Sequence, residues 1–357
     1  MSDADPTPAA DLASAADELE AQQAVLAALG MSTAPWPVDL TTAPMIVDTD
    51  MGSDADDALA LAAAAFAVPE LALVVTGDET GPAAGGYGQR ARAVGWLLGA
   101  CGRGEVPVVA GAALSDVDCF VLEGAIPVQV PAADTDLMGA VRALAARSGG
   151  PLRWVGMAPM SNLARVVAEA PEIAARLHVT QMGAAINYRD PARAEHNVRL
   201  DVEAARAVVD AAGDGRLAGL ELVISDVTFT PAIEIGVGHP LYRALAGHPA
   251  PWAQVLTTSL DCWFTHPRGY AHSMQHDALT LSAALELPFV MSSPGQAELD
   301  DVGRLIENGP AAAARWPVQV ARSADYLAFM SWLERVLLSG TPSASSEPLA
   351  GARVGRG

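Results

Sequence analysis

A chain of 357 residues, 51% hydrophobic and 18% charged, is long enough to bury a large core and too apolar to be disordered. Its formal charge of −21 repels phosphate backbones and anionic lipid, so neither nucleic acid nor membrane is an expected partner, whereas a cation or a small molecule is. All 21 basic residues are arginine, which excludes Schiff-base chemistry, pyridoxal phosphate attachment and the phosphate-gripping lysine of a P-loop.

Residues 1–43 read as an Ala/Asp/Glu-rich extension, with a helix over Ala10 to Leu29 and a Pro-containing linker. The segment lacks the basic and apolar regions of a secretory signal. No apolar run reaches the roughly 18 residues of a membrane span. Cys101, Cys119 and Cys262 are scattered, odd in number and without CxxC spacing, which argues against a disulfide framework or structural zinc. A reducing cytoplasm is the expected location.

From Met45 onward short apolar runs alternate with helical patterns. MIVDTD, LALVVTGD, VPVVAGA, LRWVGMA, VTQMGA and ELVISDV read as strands. ALALAAAAFA, RARAVGWLLGA, MGAVRALAARS, SNLARVVAEAPEIAARL and DVEAARAVVDAAG read as helices. The alternation predicts an α/β fold with an open, mostly parallel twisted sheet and helices on both faces, whose sites lie at the carboxyl ends of the strands. After Phe229 the pattern predicts a mainly helical part, and residues 339–357 read as a disordered tail.

The stretch MIVDTDMGSDADDALAL holds Asp48, Asp50, Asp54, Asp56 and Asp57 between a strand and a helix. One or two of these are explained as helix caps. Five are not, because like charges so close raise each other's pKa and no basic residue lies within the stretch. A divalent cation resolves the conflict, and an all-oxygen set favours Ca²⁺ or Mg²⁺ over zinc. An EF-hand fails, since its obligatory Gly and Glu positions fall on Ser53 and Leu59. A haloacid dehalogenase-like phosphatase matches DTD but needs a lysine, and Gly52 stands where that family has Thr or Val.

DTDMGSDADDALAL resembles the N-terminal signature of the nucleoside hydrolases of the inosine-uridine preferring type, DxDxGxDDAxAL. VVTGD, APMSNLA, VTQMGAA, AEHNVRLDVEAA and HDALTLSAAL resemble later motifs of that family in the same order, the AEHN stretch matching its AEFN. The similarity covers residues 44–338, taken as one catalytic domain. It implies hydrolysis of the N-glycosidic bond of a ribonucleoside to ribose and free base, as in nucleoside catabolism and salvage. It also implies a bound Ca²⁺ with Asp50, Asp57, the Met157 carbonyl and Asp277 as ligands. Asp50 is then the general base and His276 the acid for the leaving base. Asp56 takes the ribose 2′ hydroxyl, Glu195 and Asn197 take the other hydroxyls, and Met182 packs near the 5′ carbon. Asn187 is the nearest counterpart of a further ribose-binding Asn. A homo-oligomer, dimer or tetramer, is implied as well.

Four departures from the family pattern bear on substrate choice. The loop from Gly52 to Asp56 is two residues longer than usual, so Asp54 could replace Asp56 or Asp57. Asp78 stands where the family has Asn. The loop SDVDCFVLEGAIP lacks the family's histidine. The segment between Met182 and Glu195 is shortened. A modified nucleoside or another ribosyl compound is therefore an alternative substrate, and an inactive calcium-binding homologue an alternative role. Trp263, Phe264 and Tyr270 read equally as packing or as a nucleobase platform.

Overall fold

The computed structural model describes residues 35–79, 86–114, 119–267, 269–308 and 318–340. The expected helix over Ala10 to Leu29 and the C-terminal tail lie outside these residues. Six strands appear where the apolar runs predict them: β1 (Met45–Thr49), β2 (Leu71–Thr76), β3 (Val108–Ala110), β4 (Leu152–Gly156), β5 (Leu177–Met182) and β6 (Gly219–Val223). Between them lie α1 (Asp56–Ala67), α2 (Gln89–Ala100), α3 (Leu137–Arg147), α4 (Ser161–Glu169), α5 (Pro171–Ala174), α6 (His196–Leu200) and α7 (Val202–Gly213). The pattern SNLARVVAEAPEIAARL breaks into α4 and α5 at Pro171, which lacks the amide proton needed to continue a helix.

The part after Phe229 holds the expected helices and also strands that its pattern did not announce. Following α8 (Ser225–Thr228), β7 (Glu234–Gly236) pairs with β8 (His272–Met274) in a two-stranded ribbon. That ribbon encloses α9 (Pro240–Ala246) and α10 (Pro251–Thr265), and α11 (His276–Ala284) follows it. β9 (Val290–Leu299), β10 (Leu305–Asn308) and β11 (Val318–Ala324) then join the main sheet, and α12 (Tyr326–Ser339) follows.

The main sheet has nine strands in the order β10-β9-β11-β6-β5-β4-β1-β2-β3. Only β9 runs against the rest. The chain builds outward from β1 through β2 to β3, then returns to start β4 on the opposite flank of β1. A crevice opens at the carboxyl ends of two strands that part in this way, and ligands of such sheets bind there.

One helix faces that crevice with little side-chain bulk. In α1 every residue from Asp56 to Phe66 is buried, and most are alanine. Alanine has high helix propensity, and its small side chain lets α11 and α12 approach closely. The Ala-rich segment is therefore a central helix. Among the described residues no helix is long and apolar enough to cross a membrane.

Candidate active site

β1 ends at Thr49 and β4 at Gly156, so Asp50 and Met157 leave adjacent strands at the same edge. The chain then turns sharply. Gly52 sits at φ +120°, and a side chain there would collide with the Phe120 ring, so glycine is required twice over. The loop delivers Asp56 and Asp57 to the first turn of α1. Across the crevice Asp277 occupies the first turn of α11. Two helix amino termini thus point their partial positive charge at one spot, which lowers the cost of gathering carboxylates there.

Carboxylate oxygens of Asp56, Asp57 and Asp277 lie within 4.8 Å of one another, and all three residues are buried. The Asp277 amide donates to Asp56 Oδ2 at 3.4 Å. The Thr49 hydroxyl donates to Asp57 Oδ1, as does the Asp50 amide at 3.3 Å, tying α1 to the end of β1. Burial pushes the carboxyls of Asp56, Asp57 and Asp277 well above 3.8, and neighbouring carboxylates, Asp50 included, add to the rise, while Thr49 and Arg90 offset part of it at Asp57. Asp54 does not join the trio. Its carboxyl is raised to about 7 by burial and is held by the Ser273 side chain and the Ala55 amide.

Asp48 and Asp78 carry the remaining local negative charge, and each has its own partner. Asn162, from the APMSNLA motif, donates from Nδ2 to Asp48 Oδ1 at 2.8 Å and to the Thr76 carbonyl at 3.0 Å. Its Oδ1 accepts from the Ala112 amide at 2.8 Å, so one buried side chain joins the ends of β1 and β2 to the loop after β3. Asn162→Ala is expected to cost about 2–4 kcal/mol of stability, because it leaves buried polar groups unpaired. Chemical denaturation with an unchanged m-value checks this. Asp78 is ion-paired with the buried Arg90, whose Nη2 lies 3.1 Å from Asp78 Oδ2. Arg90 also donates to the Asp78 carbonyl at 2.6 Å and to the Asp50 carbonyl. Its guanidinium therefore balances Asp78 and fixes the backbone that carries Asp50.

On the opposite wall the Glu195 carboxylate accepts from the Ala184 and Val198 amides at 3.1 and 3.3 Å. Asn197 Nδ2 donates to the Met157 carbonyl at 3.0 Å and to the Met182 carbonyl at 3.4 Å, and lies 3.5 Å from Met182 Sδ. Glu195, Asn197, Met157 and Met182 thus form one buried wall. Asn187 is exposed and holds Asp226, its amide and Nδ2 meeting Asp226 Oδ1 at 2.8 and 3.0 Å.

His276 precedes Asp277, and its Nδ1 lies 2.8 Å from Thr228 Oγ1. Burial, with Arg189 and His196 adding to it, lowers its pKa to about 4, so the imidazole is neutral at pH 7 rather than poised near neutrality. Its ring stacks on Phe229 at 6.3 Å between centroids. Trp263 is buried and donates from Nε1 to the His272 carbonyl, and Phe264 packs on Tyr242, so both serve as packing. Tyr270 is exposed and stacks on His272.

The model of the inosine-uridine preferring nucleoside hydrolases matches residues 45–331. The chain belongs to the nucleoside hydrolase family. With that family it is a hydrolase that acts on N-glycosidic bonds. Solved structures share the fold. A plant nucleoside hydrolase, PpNRh1, superposes with a TM-score of 0.66 at 19% identity, covering 84% of this chain and 99% of its own. A purine-preferring ribonucleoside hydrolase from Gardnerella vaginalis gives 0.65 at 20% identity, covering 83% and 98%. The type III effector protein XopQ, complexed with adenosine diphosphate ribose, gives 0.64 at 18% identity, covering 84% and 94%. Among curated protein sequences none matches. Asn162 and Arg90 are the nucleoside hydrolase's supporting residues that sequence reading passed over. The first stood inside a motif already noted, and the second carried no signal beyond its helix.

Proposed function

We propose that this nucleoside hydrolase cleaves a ribonucleoside to ribose and free base with a bound Ca²⁺. The buried trio of Asp56, Asp57 and Asp277 beside Asp50 carries the reading. Three carboxylates held above their ordinary pKa by burial and by one another suit a hard cation with oxygen ligands. Asp57, Asp277, Asp50 and the Met157 carbonyl are the proposed ligands, with Asp56 adjoining them. The ion, when bound, supplies positive charge that orients the ribose diol and makes a coordinated water more acidic.

The chain's own groups do the rest. Asp50 accepts the proton of the attacking water as general base. The ring of carboxylates stabilises the positive charge that grows on the sugar as the glycosidic bond opens. Asp56 accepts a hydrogen bond from the 2′ hydroxyl, and Glu195 and Asn197 bind the other hydroxyls. Met182 packs against the sugar. Asp78, paired with Arg90, is proposed to support this shell, and Asn187 with Asp226 to shape the rim. His276 is neutral, so its role is to donate one N–H to the leaving base rather than to discharge an imidazolium. Residues 44–338 form the proposed catalytic unit. A dimer or tetramer in the cytoplasm is the proposed setting, which the three free cysteines support.

A panel of purine and pyrimidine ribonucleosides, read by base release, tests the proposal. At least one is expected to turn over and to lose turnover when calcium is chelated. Base release from none of them would overturn it.

A further inference from the structure

Glu79 is a buried acid for which the proposed reaction has no role. It follows Asp78 in the loop that leaves β2, and none of its surface is exposed. Burying a carboxylate is costly unless hydrogen-bond donors surround it. Four donors converge on this one. Oε1 accepts from the Thr76 hydroxyl and, at 3.0 Å, from the Ala91 amide. Oε2 accepts from the Gly88 and Arg90 amides at 2.9 and 3.3 Å. Three of these donors belong to the start of α2, whose own N-cap, Gly88, has no side chain to offer them. Glu79 is therefore the cap of that helix, brought to it from the end of β2.

The residue it holds matters more than the cap. Arg90 is gripped twice by consecutive acids: Glu79 takes its amide, and Asp78 takes its guanidinium, with Nη2 3.1 Å from Oδ2. The backbone at Asp78 is left-handed, φ +45°, a conformation that persists where its surroundings fix it. So held, the buried guanidinium reaches loops that leave three strands. It donates to the Asp50 carbonyl and, at 3.4 Å, to the Met51 carbonyl after β1. It donates to the Asp78 carbonyl at 2.6 Å after β2, and to the Cys119 carbonyl at 3.5 Å beyond β3. The guanidinium fork is rigid, and in a close-packed interior its aim follows from where its backbone is held.

We infer that Glu79 is a positioning residue of the hydrolase, aiming Arg90 so that the Asp50 carboxylate meets the attacking water in register. The inference rests on the assignment of Asp50 as general base in the reading above. The influence passes from the Glu79 carboxylate to the first turn of α2, and from the Arg90 guanidinium to the Asp50 backbone. A misplacement of about 1 Å at a reacting group costs up to about 10²-fold in rate, so an indirect grip is enough to matter.

A double-mutant cycle in the full chain tests this, with base release measured at saturating calcium and the folded fraction followed by circular dichroism. Glu79→Gln keeps the size of the side chain and turns one acceptor oxygen into a donor that faces donors. It is expected to lower kcat about tenfold and to leave KM within about twofold. Arg90→Met is expected to lower kcat further. Glu79→Gln added to Arg90→Met should then cost less than about twofold more, because the path from Glu79 to Asp50 is already cut. A stabilising osmolyte should raise the melting temperature of Glu79→Gln and leave its kcat low. Recovery of kcat with stability, an equal loss in both backgrounds, or an unchanged kcat in folded Glu79→Gln would each overturn the inference and leave Glu79 a helix cap. Where Glu79→Gln does not fold, Glu79→Asp, which keeps the charge and shortens the reach, takes its place in the same cycle. Base release by the unmodified protein separates this inference from the hydrolase reading, since its absence from every ribonucleoside would overturn both.

Discussion

Asp50→Asn is expected to lower kcat for base release by about 10²–10⁴, the usual worth of a positioned general base. The substitution keeps shape and hydrogen-bonding capacity while removing the basic oxygen. Asp50 leaves the end of β1 on a backbone clamped by Arg90, so the amide should occupy the same place. Asp277→Ala is expected to abolish turnover for a different reason, by removing one of three carboxylates within 4.8 Å of one another. The pair separates two roles. Asp50→Asn should retain a calcium-dependent rise in melting temperature, reduced in size, whereas Asp277→Ala should lose it. Steady-state kinetics and thermal melts on the same preparations check both. Full turnover in either variant would reject the role assigned to that residue.

The ease with which the fold could be read follows from how each strand is buried. β1, β2, β4, β5 and β6 lie inside a parallel sheet covered on both faces, so nearly every residue in them is buried and each reads as a short run rich in apolar residues, even with Arg153, His178, Gln181 and Glu221 among them. β9 is MSSPGQAEL after its first Val, a stretch with serines, a proline and a glycine that reads as loop. It is a strand because tertiary partners make it one: Ser292 is buried and donates to Glu221 of β6. β10 lies at the sheet edge, where a half-exposed face weakens the apolar signal.

The site divides along a similar line. Clustered aspartates announce themselves, because crowded like charge has no cheap structural explanation. Asn162 and Arg90 do not, since an amide or a guanidinium read alone suits a surface as well as a core. What defines them is long-range pairing: Asn162 reaches Asp48, 114 positions away, and Arg90 reaches the Asp50 carbonyl, 40 positions away. His276 was legible as the neighbour of Asp277 and not as a neutral group. Its depressed pKa comes from burial against Phe229 and from Arg189 and His196, which only the folded chain brings to it.

Calcium is expected to raise the melting temperature, and to raise it more as pH increases. At calcium one hundred times its dissociation constant the folded state gains about 2.7 kcal/mol, a rise of about 4–8 °C for a chain of this size. The pH dependence follows from the carboxyls of Asp56, Asp57 and Asp277, held well above 3.8 in the metal-free fold, and from Asp54 at about 7. Their folded pKa exceeds the unfolded one, so the metal-free fold binds more protons than the unfolded chain does. That contribution is complete below the ordinary carboxylate pKa and is lost as pH rises through the folded values. Metal binding requires ionised carboxylates and so expels those protons. The metal-free melting temperature should therefore fall from about pH 5 to about pH 8 while the calcium-loaded one falls less, and the gap between them should widen. Calorimetric titrations in buffers of different ionisation enthalpy should register proton release per calcium bound. A gap that stays constant across that range, with no proton released, would mean that the buried trio is not where calcium binds.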